Sequence, residues 1–222
     1  MPSVRTVGLK VDVIAFDVIG TDGERQGFIR HTGLASVAGE HDRRAVPVID
    51  MAPPLRRPGK MEANVVGTAN LTDDEAHRVK DFVDRHEGEH RAIQKLNRLS
   101  FPQVYCVLPH AAPFNEADGR YVRMRFSCAG FVFEAYKRAG IHLVEERQLP
   151  PIELQRIKEA YPDHAPLLDR PDFRDLMGLT GPGPWPVMLC GYLLNATKRD
   201  APAIRREPHV AKTGDEIFQS RE

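Results

Sequence analysis

The stretch RFSCAGFVFEAYKRAG, Arg125–Gly140, holds one of the three cysteines of a 222-residue chain. Phe131, Val132, Ala135, Tyr136 and Ala139 fall at i, i+1, i+4, i+5 and i+8, which is one face of an α-helix; Glu134, Lys137 and Arg138 lie off it. Ser127 has the short hydroxyl that caps a helix N-terminus. Lys137 and Arg138 suit the negative end of the helix dipole, and Gly140 stops the helix. Cys128 therefore falls in the first turn. Two readings of it stay open. A free thiol packs well as a small buried hydrophobe. A first-turn thiol also meets unpaired backbone N–H groups and the positive end of the dipole, and both favour the thiolate, the nucleophilic form. Ala129 and Gly130 are small enough to let a carbonyl approach the backbone, where an N–H can hold an oxyanion.

A nucleophilic cysteine needs a base. Of the nine histidines, His77, His86 and His90 lie on a charged helix and read as solvated. His110, His164 and His209 fall in loops or the tail, and His142 points to solvent or a neighbouring strand. His31 differs. It sits in FIRHTGLASVA, a β-branched, apolar strand at 28–38, where a titratable group is on the solvent face or takes part in chemistry.

Working outward, residues 9–19, 28–38 and 45–51 read as an antiparallel meander with polar turns, Pro47 marking an edge or a bulge. APPLRRPGK, 52–60, reads as a loop. Thr72 followed by Asp73, Asp74 and Glu75 is a capping box with acids in the first turn. It opens a helix expected to reach Leu99, broken or kinked near Gly88. Residues 101–108 look extended and 109–120 look like a loop. A helix opened by prolines follows in LPPIELQRIKEAYPD, 149–163, then the turn GPGPWP at 181–186 and a last apolar element, strand or short helix, at 187–196.

The cysteine motif resembles the nucleophile helix of the NlpC/P60 cysteine-hydrolase superfamily: Cys128, Ala129, Gly130, Phe131 and Val132, then Tyr136, Ala139, Gly140 and Ile141. Most members place the histidine after the cysteine. A circularly permuted branch, with relatives of lecithin–retinol acyltransferase and bacterial YiiX-like proteins, places the histidine strand first. RHTGLASVAGEHDRRAVPVIDMAPP, Arg30–Pro54, is similar to that pattern. The resemblance covers about residues 10–145. It implies an α+β, permuted papain-like fold, with an antiparallel sheet packed against the nucleophile-bearing helix. It implies Cys128 as nucleophile, His31 as base and Asp50 as the residue that orients the imidazole. Tyr121, or Tyr105, would help bind an oxyanion. Two departures stand out: Ser127 precedes the cysteine where many members have Asp, and Asp50 stands where many have His or another polar residue. His41 and Glu40 are the alternatives for the third position.

The implied activity is cysteine-dependent hydrolysis or acyl transfer at an amide or ester, through a thioester. No cofactor and no metal are expected, and the substrate would be a small peptide, a lipid or another acyl compound. The alternative is an inactive binding or structural member of the same fold. A rival metal set draws on Cys106, His110, Cys128 and Cys190, but C-x₃-H without a second close pair is unlike structural zinc spacing. With 31 basic and 31 acidic residues the net charge is zero, which argues against a nucleic-acid partner. No run approaches the ~18 apolar residues of a membrane span. The N-terminus lacks the apolar region of a secretory signal, so a cytoplasmic protein with reduced thiols is expected. One domain over 1–200 and a polar, frayed tail over 201–222 complete the reading.

Overall fold

A computed structural model describes residues 15–21, 28–37, 46–51, 55–61, 65–96, 107–115 and 122–217. Five strands form one antiparallel sheet: β1 (Ala15–Thr21), β2 (His31–Val37), β3 (Val46–Met51), β4 (Leu55–Met61) and β5 (Val65–Gly67), in the order β4-β3-β2-β1-β5. Helix α1 (Asp73–Leu96) follows, then the pair β6 (Ala111–Asn115) and β7 (Val122–Phe126), and helix α2 (Cys128–Arg138). The C-terminal part holds α3 (Leu154–Ala160), α4 (Pro171–Leu176), α5 (Cys190–Ala196) and α6 (Ala201–Arg206). Two-residue strands β8 (Pro151–Ile152) and β9 (Trp185–Pro186) pair between them. The fold is α+β, with small antiparallel sheets. Among the described residues no helix is long and apolar enough to cross a membrane.

The meander is present, and it extends further than the sequence pattern indicates. Residues expected as a loop include β4. Proline rarely sits in a sheet because it cannot donate to the ladder. Here β4 is an edge strand, and Val48 pairs with Gly59 while Asp50 pairs with Arg56. Arg57 and Pro58 thus face Ile49 alone, a bulge that takes Pro58 out of the register. The expected loop at 109–120 likewise contains β6, paired with β7 from Ala111↔Phe126 to Asn115↔Val122.

Helix α1 opens on the expected capping box. Glu75 N–H donates to Thr72 Oγ1 at 3.3 Å, and Thr72 N–H donates to Glu75 Oε2 at 2.7 Å. It runs through Gly88 as one helix. His86 is not solvated. It is buried, with its ring centroid 4.4 Å from that of Phe82 and 5.1 Å from that of Phe126.

Helix α2 has eleven residues, too short to hold its shape alone in water. Packing holds it. It lies against β2, β3, α1, β7 and α5, and Phe131, Phe133 and Tyr136 are fully buried. At roughly 1.5–3 kcal/mol for each large side chain, burial outweighs its single cap, worth about 1 kcal/mol. Its expected N-cap is present: Gly130 N–H donates to Ser127 Oγ at 2.9 Å. The helix start is also pressed against the chain at His110, whose carbonyl accepts from Ser127 N–H at 2.9 Å. A Cβ on residue 130 would stand 1.8 Å from that carbonyl oxygen, so only glycine fits. Gly130, second of the small residues after the cysteine, therefore marks a backbone crossing, whatever else it permits.

A frayed tail is expected over 201–222; its described part, 201–217, is instead tied to the rest of the molecule. Residues 201–206 are helical with an Asp200 cap. Val144 bridges His209, and Phe28 bridges Ile217. Asn195 Nδ2 donates to the Asp215 carbonyl at 2.7 Å, and buried Glu216 pairs with Arg156 at 3.0 Å. Alternating charge hid these contacts, because each depends on a partner far away in sequence.

Candidate functional site

His31 opens β2, and Asp50 lies near the end of β3. Gly33 pairs with Asp50, which makes His31, two residues back on the same face, the diagonal neighbour of Asp50. Glycine at position 33 keeps this approach open: a Cβ there would come within 2.9 Å of the Ile49 carbonyl and 3.1 Å of Asp50 Cβ. His31 Nε2 lies 2.7 Å from Asp50 Oδ2. Asp50 is fully buried and His31 is 26% exposed. With Nε2 on the carboxylate, Nδ1 is the ring nitrogen left for Cys128, which lies close enough for the imidazole to lower its thiol pKa.

The structure thus brings together His31, Asp50 and Cys128. Tyr121, Tyr105, His41, Glu40 and Cys106 lie outside the described residues. His110 faces Glu146 at 3.6 Å, with Glu134 close by. Three potential metal ligands meet there, yet the Lys137 ammonium already bonds Glu146 at 2.9 Å and Glu134 at 3.5 Å. A fixed cation fills the place that a metal ion would take. His142 is exposed, as expected.

A residue the nucleophile reading leaves out completes the cluster. Cys190, the first residue of α5, has its sulfur 3.6 Å from that of Cys128. It is 1% exposed, Cys128 8%. Thr32 ties Cys190 to the sheet: its hydroxyl donates to Cys190 Sγ at 3.7 Å. Sequence reasoning placed Cys190 only in the rival metal set, because nothing local says that two helix starts 62 residues apart will meet.

The electrostatics divide the two thiols. The Cys190 S–H donor, then the His31 hydrogen bond and charge and the Thr32 main chain, outweigh burial and hold Cys128 well below the ordinary thiol range. Cys190 moves the other way: the neighbouring Cys128 sulfur and burial push it well above that range, and the Thr32 hydroxyl offsets only part of the rise. Burial alone would favour neutral imidazole, but the hydrogen bonds and charges of Asp50 and Cys128 win, so His31 is raised to about 10. These shifts favour the thiolate of Cys128, the imidazolium of His31 and the neutral thiol of Cys190.

No family model matches the chain, and neither the curated proteins nor the solved structures hold a match. The class of protein must be argued from the site's own chemistry.

Proposed function

We propose that the protein is a cysteine-dependent hydrolase or acyltransferase acting on an amide or ester carbonyl, built on a permuted papain-like arrangement. The observation that carries this reading is the order Cys128–His31–Asp50. A helix-start thiol lies beside an imidazole whose far nitrogen is 2.7 Å from a fully buried carboxylate. Leaving a carboxylate uncompensated in the interior would cost several kcal/mol. Spending a buried Asp on orienting one partly exposed histidine suits a ring that must present a chosen nitrogen. The sheet-then-helix order supports the permuted arrangement: the histidine strand precedes the cysteine helix, and α2 packs on β2 and β3. An inert thiol in the same fold has no use for a histidine held beside it by a buried carboxylate.

The mechanism follows from these positions. The Cys128 thiolate attacks the substrate carbonyl carbon, and the C–S bond forms as the carbonyl π pair moves onto oxygen. The tetrahedral adduct collapses, and His31 gives its Nδ1 proton to the departing amine or alcohol. A thioester on Cys128 remains. Neutral His31 then takes a proton from water, or from an acceptor amine or alcohol, which attacks the thioester and returns the thiolate. Throughout, Asp50 accepts from Nε2–H and holds that tautomer.

The test is trapping of the thioester. With p-nitrophenyl acetate, the account expects a burst of p-nitrophenol and one acetyl group on Cys128, mapped by mass spectrometry under acidic quench. Cys128→Ser and His31→Ala would lose the burst. Acetylation spread over lysines, with no preference for Cys128, would overturn the reading.

A further inference from the structure

The acyl mechanism uses Cys128 and gives Cys190 no step of its own. Yet the two sulfurs are 3.6 Å apart, and the Thr32 hydroxyl holds Cys190 in place. To reach the ~2.05 Å of a disulfide the sulfurs need approach by only about 1.5 Å. A thiolate with a second thiol in contact is the arrangement in which oxidation stops at a reversible stage: a sulfenic acid next to a thiol condenses to a disulfide before further oxidation makes the damage irreversible.

We propose that Cys128 and Cys190 form a hydroperoxide-responsive pair, in which peroxide oxidises Cys128, Cys190 closes it into a disulfide, and a reducing thiol restores the site. This rests on the thiolate character of Cys128 in the proposed function and not on its acyl chemistry. In the first step the Cys128 thiolate attacks the terminal oxygen of a hydroperoxide ROOH. The S–O bond forms, the O–O bond breaks, and RO⁻ leaves as ROH with the proton of the His31 imidazolium. Cys128 is now a sulfenic acid, two electrons poorer. In the second step Cys190 sulfur attacks Cys128 sulfur. The S–S bond forms, the S–O bond breaks, and the hydroxide leaves as water with the Cys190 proton. The sum is two thiols and ROOH giving a disulfide, ROH and water. The Thr32 hydroxyl, 3.7 Å from Cys190 Sγ, is placed to stabilise the negative charge that builds there as the proton departs. His31 borders the pair and is a quarter exposed, so a small peroxide needs to displace little to reach it.

The linked state would silence the acyl chemistry, since Cys128 then has no free electron pair to attack with as a thiolate. It also separates two roles for Cys190. In the reduced protein it donates a hydrogen bond to the nucleophile. In the oxidised protein it protects that nucleophile.

The experiment treats the full chain, in a Cys106→Ser background, with a small excess of hydrogen peroxide. Remaining thiols are then blocked, and the protein is mapped without reduction. The expected product is a peptide pair linked through Cys128 and Cys190. Iodoacetamide labelling of Cys128 should fall at least about tenfold and return on dithiothreitol treatment. Cys190→Ser and Cys190→Ala should instead accumulate a dimedone-reactive sulfenic acid on Cys128 and then a sulfinic acid that dithiothreitol does not reverse. If reduced Cys128 labels fast but peroxide yields only sulfenic and sulfinic acid, with no linked peptide, the pair proposal falls and the acyl reading stands. If Cys128 labels as slowly as an ordinary buried thiol and peroxide leaves it unchanged, both fall.

Discussion

Two helices of this molecule begin with a buried cysteine, and the two thiols behave in opposite ways. Helix α2 starts at Cys128 and α5 at Cys190, and their sulfurs touch at 3.6 Å. Both meet the first-turn N–H groups and the positive end of a helix dipole. Cys128 is nonetheless driven down and Cys190 up. The helix start alone therefore does not set the direction in which a thiol shifts. Cys128 has a second sulfur's proton and the His31 ring beside it; Cys190 has the Thr32 hydroxyl and its own backbone N–H to set against the neighbouring sulfur and burial. Position offers a modest bias, and a cation with a donor decides the outcome.

Breaking the triad should produce the largest effects. Asp50→Asn keeps the shape but lets the ring choose the wrong tautomer, so steady-state turnover of p-nitrophenyl acetate should fall roughly 10²–10⁴-fold. Alkylation of Cys128 should change far less. Equal losses in both readouts would mean that Asp50 holds the fold rather than the proton.

Removing the cation comes next. A free thiol of pKa ~8.5 is about 1% thiolate at pH 6.5, so His31→Ala should slow iodoacetamide labelling of Cys128 by up to about 100-fold there. The same variant sharpens the pH behaviour of the fold. His31 is raised in the native state from its ordinary 6.5 to about 10. The stability it contributes is complete below about 6.5 and is lost as pH rises toward 10. Cys128 is depressed, so its contribution is present above the ordinary thiol pKa and fades as pH falls through the native value. Urea midpoints of the native protein and of His31→Ala should therefore differ most near neutrality and converge toward pH 10. A gap that persisted at pH 10 would break this part of the account.

The second donor should matter less. Cys190→Ala removes a thiol hydrogen bond to an anion, worth on the order of 1.5 kcal/mol, so labelling at pH 6.5 should slow by up to about tenfold. Smallest, and confined to stability, is Thr72→Ala. Loss of the α1 capping box should cost about 1 kcal/mol in urea unfolding and leave Cys128 labelling unchanged.

The same comparison marks what was legible in the chain. Cys128 was readable as a helix start because Ser127, the apolar face and Gly140 are local signals within sixteen residues. His31 and Asp50 were reached through the strand pattern and a family resemblance; their contact needs the β2–β3 register, which two separate strands do not state. Cys190 carried no local signal, because its meaning lies in where α5 packs. Strand β4 was hidden by Pro58, which the edge bulge tolerates. His86 looked solvated among charges, although its own turn contains Phe82, which it packs against. The charged tail looked frayed, although Glu216 and His209 find partners across the molecule. Patterns within one element could be read directly; pairings between elements could not.

The measurement that bears most directly on the central claim is the pH dependence of iodoacetamide labelling at Cys128, followed by peptide mapping in the native protein and in His31→Ala. The account predicts a native inflection well below the ~8.5 of a free thiol, and an upward shift in His31→Ala. Cys190 should stay unlabelled across the neutral range. A Cys128 that titrates at or above the free-thiol value, with no response to His31→Ala, would contradict the thiolate–imidazolium pair on which the proposed chemistry depends.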